Sequence, residues 1–453
     1  MKKFIALAIT MLFLINSQAM AFSFKKKKVN PLDVKEKTEY VNMDFWSRFD
    51  DEYLSFYICE AIKNNHDARK ASWQVEEYRQ NIKYSFGQEL PHLNVSANYA
   101  GLHIPKLDNF QLKSNAFILP FMLSYEPDFF LKNRDKTKSV KKAYEAAKFE
   151  EKAIYIALAS DTATAYLNLL QYDKLVELQE RIVAVKQDQL SREQKKYNRG
   201  VIDNTQLNSV KKELETAKNN LETYNKNRTT VLTQLAVLTG LSPSCICDIQ
   251  RSSFDNFDYK SEIPSQASSD VIFSRPDVMA AEANLEKAKI DIRVARKEFL
   301  PSFNITGLWL FNTIAPGTFF SWQSSLAAIL AGATQDIFKG GMKVANLRIQ
   351  KARYEQLFEA YRQTDLTAVK EVNDALCIIK YDTNVDNNTI TYLNLQKRDF
   401  LDMRKKLSQG VISYPEFLSE QERLLNIEQN QTQTKTQRIA DYLTLYKAVG
   451  GKL

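Results

Sequence analysis

The chain has 453 residues, of which 44% are hydrophobic and 26% charged, so it is long enough for a sizeable core and unlike a disordered protein. Only 12 glycines and 11 prolines occur in this length, which favours long uninterrupted helices over a many-turned sheet. The net charge of +8 comes from interleaved basic and acidic residues, which fits a solvated helical surface better than a nucleic-acid interface.

Residues 1–21 have the features of a secretory signal. Two lysines precede an apolar run from Phe4 to Ile15, which is too short to span a bilayer, and small residues follow up to Ala21. We therefore expect cleavage between Ala21 and Phe22, followed by an N-terminal extension over residues 22–49 of an exported chain. No cysteine stands at the cleavage point, so a lipoprotein anchor is not expected. No later apolar stretch approaches the length of a transmembrane helix, which excludes a helical inner-membrane pump.

Four landmarks recur at an offset of 210 positions along the sequence. They are His66-Asp67 with Pro276-Asp277, Pro91 with Pro301, Gly200 with Gly410, and Gly240 with Gly450. Repetition at one fixed spacing indicates an internal duplication. We predict two copies of one unit, residues 50–240 and 275–453, joined by a linker over residues 241–274.

Each unit begins with a predicted helix that a proline ends, and the hydrophobic period then changes. After Pro91, the apolar residues Leu93, Val95 and Tyr99 alternate with polar ones, and the same alternation follows Pro301. A period of two is typical of strands with one apolar and one polar face. Each unit therefore contains a predicted β-hairpin, which gives four strands per chain. The predicted ranges are helices over about 50–86 and 276–299, β-hairpins over about 92–129 and 302–338, and hairpin loops over about 103–113 and 312–319.

An unbroken helical arm of about 68 residues follows each β-hairpin, from Lys132 to Arg199 and from Gly341 to Gln409. At 1.5 Å per residue each arm would be about 100 Å long. Apolar residues recur every seven positions in the first arm, and steps of three and four continue after Gly200, as coiled-coil packing requires. We interpret Gly200 and Gly410, in the related stretches KKYNRGVIDN and KKLSQGVISY, as left-handed residues at the tips of two helical hairpins.

The predicted strands pose a physical problem. Membrane-spanning barrels of one chain need about eight strands or more, and an open sheet edge is not tolerated in lipid. A chain with four strands must therefore either assemble with other copies or keep its sheet in water. Three copies would supply twelve strands above a cylinder of twelve helices, which describes a membrane pore on a long helical tube.

Six stretches of the chain resemble the TolC-type outer membrane efflux channels, and the resemblance covers nearly the whole mature chain. These stretches are TATAYLNLLQ, KKYNRGVIDNTQLNSV, LTQLAVLTGL, SRPDVMAAEANLEKAKIDIRVARKEFLPSFNITG, DIFKGGMKVANLRIQKARYEQLFEAYRQT and KKLSQGVISYPEFLSEQERLL. Two positions depart from the family pattern. Tyr125 replaces the tryptophan that begins a W-E-x-D-x-F motif, and Asp336 stands where the family often has proline, at the exit of the last strand.

The resemblance implies a mainly α fold with a small β part. Coiled-coil hairpins would form a periplasmic tunnel, and four strands per chain would contribute to a twelve-stranded barrel of a homotrimer. It implies location in the outer membrane of a Gram-negative bacterium, in contact with outer membrane lipid and with a large periplasmic portion. It also implies two protein partners, a periplasmic adaptor and an inner-membrane pump of the RND or ABC type.

The family meets its adaptor at the hairpin tips and often places acidic residues just past the second tip. The corresponding docking residues are Asn198, Arg199, Gly200, Val201, Ser408, Gln409, Gly410 and Val411. The corresponding gate residues are Glu416 and Glu420, where three copies would face one another across the closed tunnel end. A simpler interpretation also stands for both sets: the glycines are ordinary turns, and the glutamates are surface residues that suit the positive end of a helix dipole.

No enzyme signature stands out. The three histidines lack metal-ligand spacing, and there is no phosphate-binding loop or nucleophile motif, so no catalytic residue, cofactor or metal site is expected. Cys245 and Cys247 form a C-x-C pair, whereas Cys59 and Cys377 lie in predicted helices. If all four cysteines pair in an oxidising compartment, three connectivities are possible.

The sequence therefore favours a passive exit duct for drugs or other small toxic solutes that an energised pump delivers. Two alternatives remain open at this point: the outer membrane channel of a type I protein secretion system, and a periplasmic coiled-coil scaffold. The alternating strands argue against the scaffold, since a scaffold has no use for them.

Overall fold

The computed structural model describes residues 31–107, 110–242, 249–261, 268–313, 322 and 325–452. The predicted cleavage site at Ala21 and Phe22 lies outside these residues. The helices are α1 Val34–Thr38, α2 Met43–Ser47, α3 Glu52–Asn64, α4 His66–Gly87, α5 Lys132–Asn198, α6 Asn204–Leu238, α7 Ser269–Phe273, α8 Pro276–Lys297, α9 Met342–Ser408 and α10 Tyr414–Ala448. The strands are β1 His92–Val95, β2 Asn98–Leu107, β3 Phe110–Tyr125, β4 Ser302–Thr313 and β5 Ser325–Thr334.

The long helices agree with the predicted arms to within a residue at each end. α5 and α9 have 67 residues each, and the returning helices α6 and α10 have 35 residues each. A 67-residue helix is about 100 Å long. α5 packs against α6, α9 packs against α10, and α5 also packs against α10, so the two hairpins lie side by side. Among the described helices, none is both long and apolar enough to cross a membrane.

One polar side chain in each unit ties the start of the unit to its end. Asn65 separates α3 from α4, which were predicted as one helix; it caps α4, and its Nδ2 donates to the Leu238 carbonyl at 3.0 Å. Arg275 stands 210 positions later and donates from Nη1 to the Ala448 carbonyl at 2.7 Å. The accepting carbonyls are also 210 positions apart. Both units therefore close through the same contact, although the side chains differ.

The strands form one antiparallel sheet in the order β1/β2, β3, β4, β5. β1 and β2 follow one another along the same edge of β3 and are interrupted at Ser96 and Ala97. The described residues thus contain five strands where four were predicted, while the sheet is four strands wide. Among the described strands, β1/β2 and β5 are the outer strands, and each has one edge with no neighbour.

The prediction of a first hairpin loop over residues 103–113 is wrong. β2 continues to Leu107 and β3 begins at Phe110, so most of this range is strand. Pro105 does not end the strand, because it lies in an outer strand where the register shifts between Ile104 and Leu107, and a residue without an N–H is tolerated there. The second loop also begins later than predicted, because β4 continues to Thr313; residues 314–321 lie outside the described part.

The sheet has the two unlike faces that the alternation predicted. Leu93, Val95, Phe121 and Trp309 point to one face, since Val95 lies opposite Phe121, and Phe121 lies opposite Trp309. The Phe121 and Trp309 rings are 6.1 Å apart. The other face carries a larger share of polar side chains, with Ser124 opposite Thr306. One face is therefore suited to an apolar surrounding and the other to water.

The main hydrophobic core lies where the N-terminal extension crosses the helices. The Phe45 and Trp46 side chains of α2 are fully buried, and the Phe45 ring stacks on Tyr446 of α10 at 4.5 Å. Lys37 Nζ forms a 2.8 Å ion pair with Glu151 Oε1 of α5, and both side chains are buried. A buried carboxylate without its partner is strongly unfavourable. The extension is thus an integral part of the fold.

The described part of the linker, residues 249–261, contacts both helical hairpins. Arg251 Nη2 donates to Asp173 Oδ1 of α5 at 3.1 Å, and Asp258 pairs with Arg438 of α10 at 2.8 Å. Phe257 of the linker stacks on Phe49 of the extension at 5.3 Å. The linker and the extension together brace the two hairpins at the level of the core.

A buried carboxyl group beside a second carboxyl group in the second hairpin predicts a pH-dependent stability. Burial, together with the nearby Asp382 of α9, raises the pKa of Asp441 in α10 to about 7 from its usual 3.8. Because the folded state holds this proton more tightly than the unfolded chain, stability falls as pH rises from about 4 to about 7, by at most about 1.4 kcal/mol per pH unit. We expect Asp441→Asn to flatten this decline and to be more stable than the wild type above pH 7.

The measurement is the apparent unfolding temperature by circular dichroism between about pH 5 and pH 8. Asp161→Asn is the matched control. It makes the same substitution at an exposed aspartate, whose carboxylate lies 3.6 Å from the Lys447 ammonium group. It should keep the wild-type pH dependence. If Asp441→Asn keeps that dependence as well, the proton is held elsewhere.

Candidate functional site

The first hairpin tip is a tight turn built around Gly200. α5 ends at Asn198, and the Gly200 N–H donates to the Tyr197 carbonyl at 2.9 Å. The Val201 N–H then donates to the Lys196 carbonyl at 3.0 Å, which completes a Schellman motif. Gly200 has φ +72°, so the predicted left-handed conformation is confirmed.

The second tip repeats this geometry. Gly410 also has φ +72°. Its N–H donates to the Leu407 carbonyl at 3.0 Å, and the Val411 N–H donates to the Lys406 carbonyl at 2.9 Å. All eight predicted docking residues are exposed, and Val201 and Val411 are 69% and 68% exposed. A large apolar side chain held in water at each tip is an available contact point for a partner.

The predicted gate residues occupy different surroundings just past the second tip. Glu416 is exposed and forms a capping box with Ser413: the Ser413 N–H donates to Glu416 Oε2 at 2.8 Å, and the Glu416 N–H donates to Ser413 Oγ at 3.4 Å. Glu420, one turn later, is largely buried and accepts a hydrogen bond from Gln396 Nε2 of α9. Glu416 is thus the freer of the two carboxylates to face a partner or an ion, although it also stabilises the start of α10.

Two cationic side chains that sequence reasoning missed join the hairpins near their tips. Lys186 of α5 pairs with Glu213 of α6 at 2.8 Å and with Glu422 of α10 at 2.7 Å. The Arg192 guanidinium lies 3.6 Å from the centre of the Tyr414 ring. Glu422 and Tyr414 lie more than 200 positions along the chain from the cations that they contact. A single sequence carries no signal that pairs them. The contacts hold the second tip against the first within one chain.

Asp336, which departs from the family pattern, lies in an ordered turn directly after the last strand. Its carboxylate pairs with Lys339 at 2.7 Å and with Lys343 at 3.3 Å. Gly340 and Gly341 have φ +53° and +79°, and α9 begins directly after them. Ion pairs and glycines thus make the turn at this strand exit.

The cysteines make no assigned bond within the described residues. Cys59 and Cys377 are exposed free thiols. Cys245 and Cys247 lie outside the described part of the chain. Nowhere in the described ranges do three or more histidine, cysteine, aspartate or glutamate side chains gather in a way that could hold a metal ion.

A family model described as outer membrane efflux protein matches residues 57–241 and again residues 267–451. The chain is 25% identical over 446 residues to the probable outer membrane lipoprotein SilC of Salmonella typhimurium, covering 95% of this chain and 92% of SilC. It is 26% identical over 426 residues to the cation efflux system protein CusC of Escherichia coli K12, covering 91% and 89%. Its fold is similar to that of the Campylobacter jejuni CmeC outer membrane channel, with a TM-score of 0.83, 24% identity, and coverage of 95% and 90%.

Proposed function

Because the chain belongs to the outer membrane efflux protein family, we propose that it is the exit duct of a tripartite pump that exports drugs or other small toxic solutes. It is a protein of the outer membrane with a large periplasmic portion. In this proposal an inner-membrane transporter of the RND or ABC type supplies the energy and the cargo. A periplasmic adaptor joins that transporter to the duct.

The observation that carries the proposal is an open-edged, two-faced sheet attached directly to helices about 100 Å long. A sheet four strands wide cannot close on itself, whereas three copies supply a closed barrel of twelve strands. The long helices then continue the barrel as a tunnel of twelve helices. A coiled-coil scaffold would need no such sheet, which argues against that alternative.

Export in cells tests this proposal. Deleting the gene should raise the accumulation of fluorescent dyes and lower resistance to toxic compounds, and the wild-type gene should restore both. Unchanged dye accumulation together with the loss of a secreted protein from the medium would instead support a type I secretion channel. Unchanged accumulation, resistance and secretion would contradict an export role.

We also propose that the two tips are the docking surface for the adaptor. Support comes from their shared geometry, the exposure of all eight residues and the outward-facing Val201 and Val411. The equal shape of the tips suits a partner that meets both in the same way. In a trimer this would give six closely similar docking points around the tunnel end.

The gate proposal predicts that Glu416→Gln lowers cation selectivity and block by multivalent cations in single-channel recordings. Three carboxylates focused in one constriction attract cations, and the neutral amide does not. Glutamine is preferred to alanine here because it can preserve the capping box. Glu420→Gln should do less, because Glu420 is already engaged with Gln396.

Ser413→Ala is the control for this measurement. It removes the hydroxyl that caps α10 but keeps the charge of Glu416. It should leave selectivity and block near wild type. If the Glu416→Gln/Glu420→Gln double variant also keeps wild-type selectivity and block, other side chains line the constriction.

A further inference from the structure

The two most exposed large hydrophobic side chains among the described residues are neighbours at the exit of β5. Ile337 is 96% exposed and Phe338 is 87% exposed, and Met342 nearby is also exposed. They stand in an ordered turn, because Asp336, which precedes them, pairs with Lys339 and Lys343, which follow them. We call Ile337 and Phe338 the exit knob. A folded turn that holds two large apolar side chains in water indicates a contact that a single chain does not make.

A second exposed apolar group lies at the opposite edge of the sheet. It is made by the end of α4 and the start of β1, and we call it the edge patch. Its large hydrophobic side chains are Tyr84, Phe86, Leu90 and Leu93, all of them exposed. The exit knob and the edge patch both lie where the sheet joins the helices, one directly after β5 and the other directly before and within β1.

The topology places these two groups beside each other when copies of the chain pair edge to edge. β5 runs toward the helices and ends at Thr334, whereas β1 runs away from the helices and begins at His92. An antiparallel pairing of β5 with the β1/β2 edge of a second copy therefore brings the end of one strand near the start of the other. The exit knob of one copy then lies against the edge patch of the next.

We propose that the exit knob inserts into the edge patch of a second copy of this chain and locks the closed ring at the base of the sheet. This inference rests on the proposed multi-copy duct. Phospholipid is the competing occupant, because the base of a membrane-spanning sheet is also where a bilayer would end. A second copy is favoured because the knob directly follows one outer strand and its apolar counterpart lies at the start of the other outer strand.

Disulfide crosslinking tests the proposed contact. In a background with Cys59, Cys245, Cys247 and Cys377 replaced by serine, Ile337→Cys is combined in turn with Phe86→Cys and Leu90→Cys. Oxidation should give covalent dimers and trimers, and a reductant should convert them back to monomers on a denaturing gel. A bond within one chain is excluded, because the two edges are about 14 Å apart across three strand spacings and a disulfide spans at most about 7 Å between Cα atoms.

The matched crosslinking controls are Ile337→Cys alone and Leu90→Cys alone in the same background, and neither should give a covalent trimer. A second measurement compares Phe338→Asp with Val411→Asp, which places the same charge at an exposed apolar site outside the knob. Phe338→Asp should lose the trimer in detergent, and Val411→Asp should keep it.

The outcomes separate this inference from the proposed function. A wild-type trimer with no crosslink in either pair, and an intact Phe338→Asp trimer, overturns the knob contact and leaves the duct standing. A Phe338→Asp trimer that stays intact but is lost from the membrane fraction assigns the knob to lipid and also overturns the contact. A wild-type protein that is monomeric overturns the duct itself.

Discussion

Gly240→Ala is expected to destabilise the protein far more than Gly200→Ala, although both glycines have nearly the same backbone conformation. Gly240 has φ +73° and Gly200 has φ +72°. A side chain in this left-handed region costs about 1–2 kcal/mol at either position. At Gly240 the added Cβ would also lie 2.7 Å from the Asn64 carbonyl oxygen and 2.8 Å from the Asn64 Cβ, whereas at Gly200 nothing lies within 4 Å. Forcing these atoms apart adds about 1–3 kcal/mol.

The measurement is the apparent unfolding temperature of the two purified variants in detergent, with the yield of assembled protein as a second readout. Gly200→Ala is the control for the backbone cost alone. The difference in unfolding temperature between the variants measures how closely the end of α6 packs against Asn64. Asn64 is next to Asn65, which donates a hydrogen bond to Leu238. Equal losses in the two variants would mean that Asn64 moves aside at little cost.

Bulky substitutions at the tips are expected to reduce export to near the level of the deletion strain while the trimer remains. Gly200→Trp and Gly410→Trp add a large side chain where the structure leaves open space, so the fold meets only the backbone cost of about 1–2 kcal/mol. The indole would cover the surface that we propose for the adaptor. Dye accumulation in cells measures export, and the amount of trimer in the outer membrane measures assembly.

Gly200→Ala and Gly410→Ala separate the two possible causes of a loss. They carry the same backbone strain as the tryptophan variants but add only a methyl group, so they should retain most of the export. If the tryptophan variants export normally at normal trimer levels, the glycines are simple turns and the adaptor binds elsewhere. If the alanine variants fail equally, the shape of the turn matters more than its open surface.

The helical part of the fold could be predicted because its signals are local. Gly200 and Gly410 end helices by a backbone conformation that glycine favours, and both have the expected φ. Both 67-residue helices lack glycine and proline, and the first also carries an apolar residue every seven positions. The loop predicted at 103–113 is wrong because β2 continues through Pro105 as an outer strand, and no local pattern shows which strands are outer.

The contacts that connect distant parts of the chain could not be predicted from one sequence. Lys186 bridges three helices through Glu213 and Glu422, yet nothing near any of them in sequence indicates the others. The Asn65 and Arg275 ties share a geometry but not a side chain, so a search for repeated residues misses them. The surroundings of Glu416 and Glu420 differ because Gln396 comes from another helix. Their proposed role at a gate depends on copies of the chain meeting at the tunnel end.

The mass of the protein extracted from the outer membrane tests the central claim most directly. Native mass spectrometry in detergent should show three copies of a chain that begins at Phe22, because the sheet needs partner strands to close and the sequence predicts that the signal ends at Ala21. The extraction should require detergent. Recovery of a soluble monomer with intact helical structure, released without detergent, would contradict the account of this chain as a trimeric outer membrane duct.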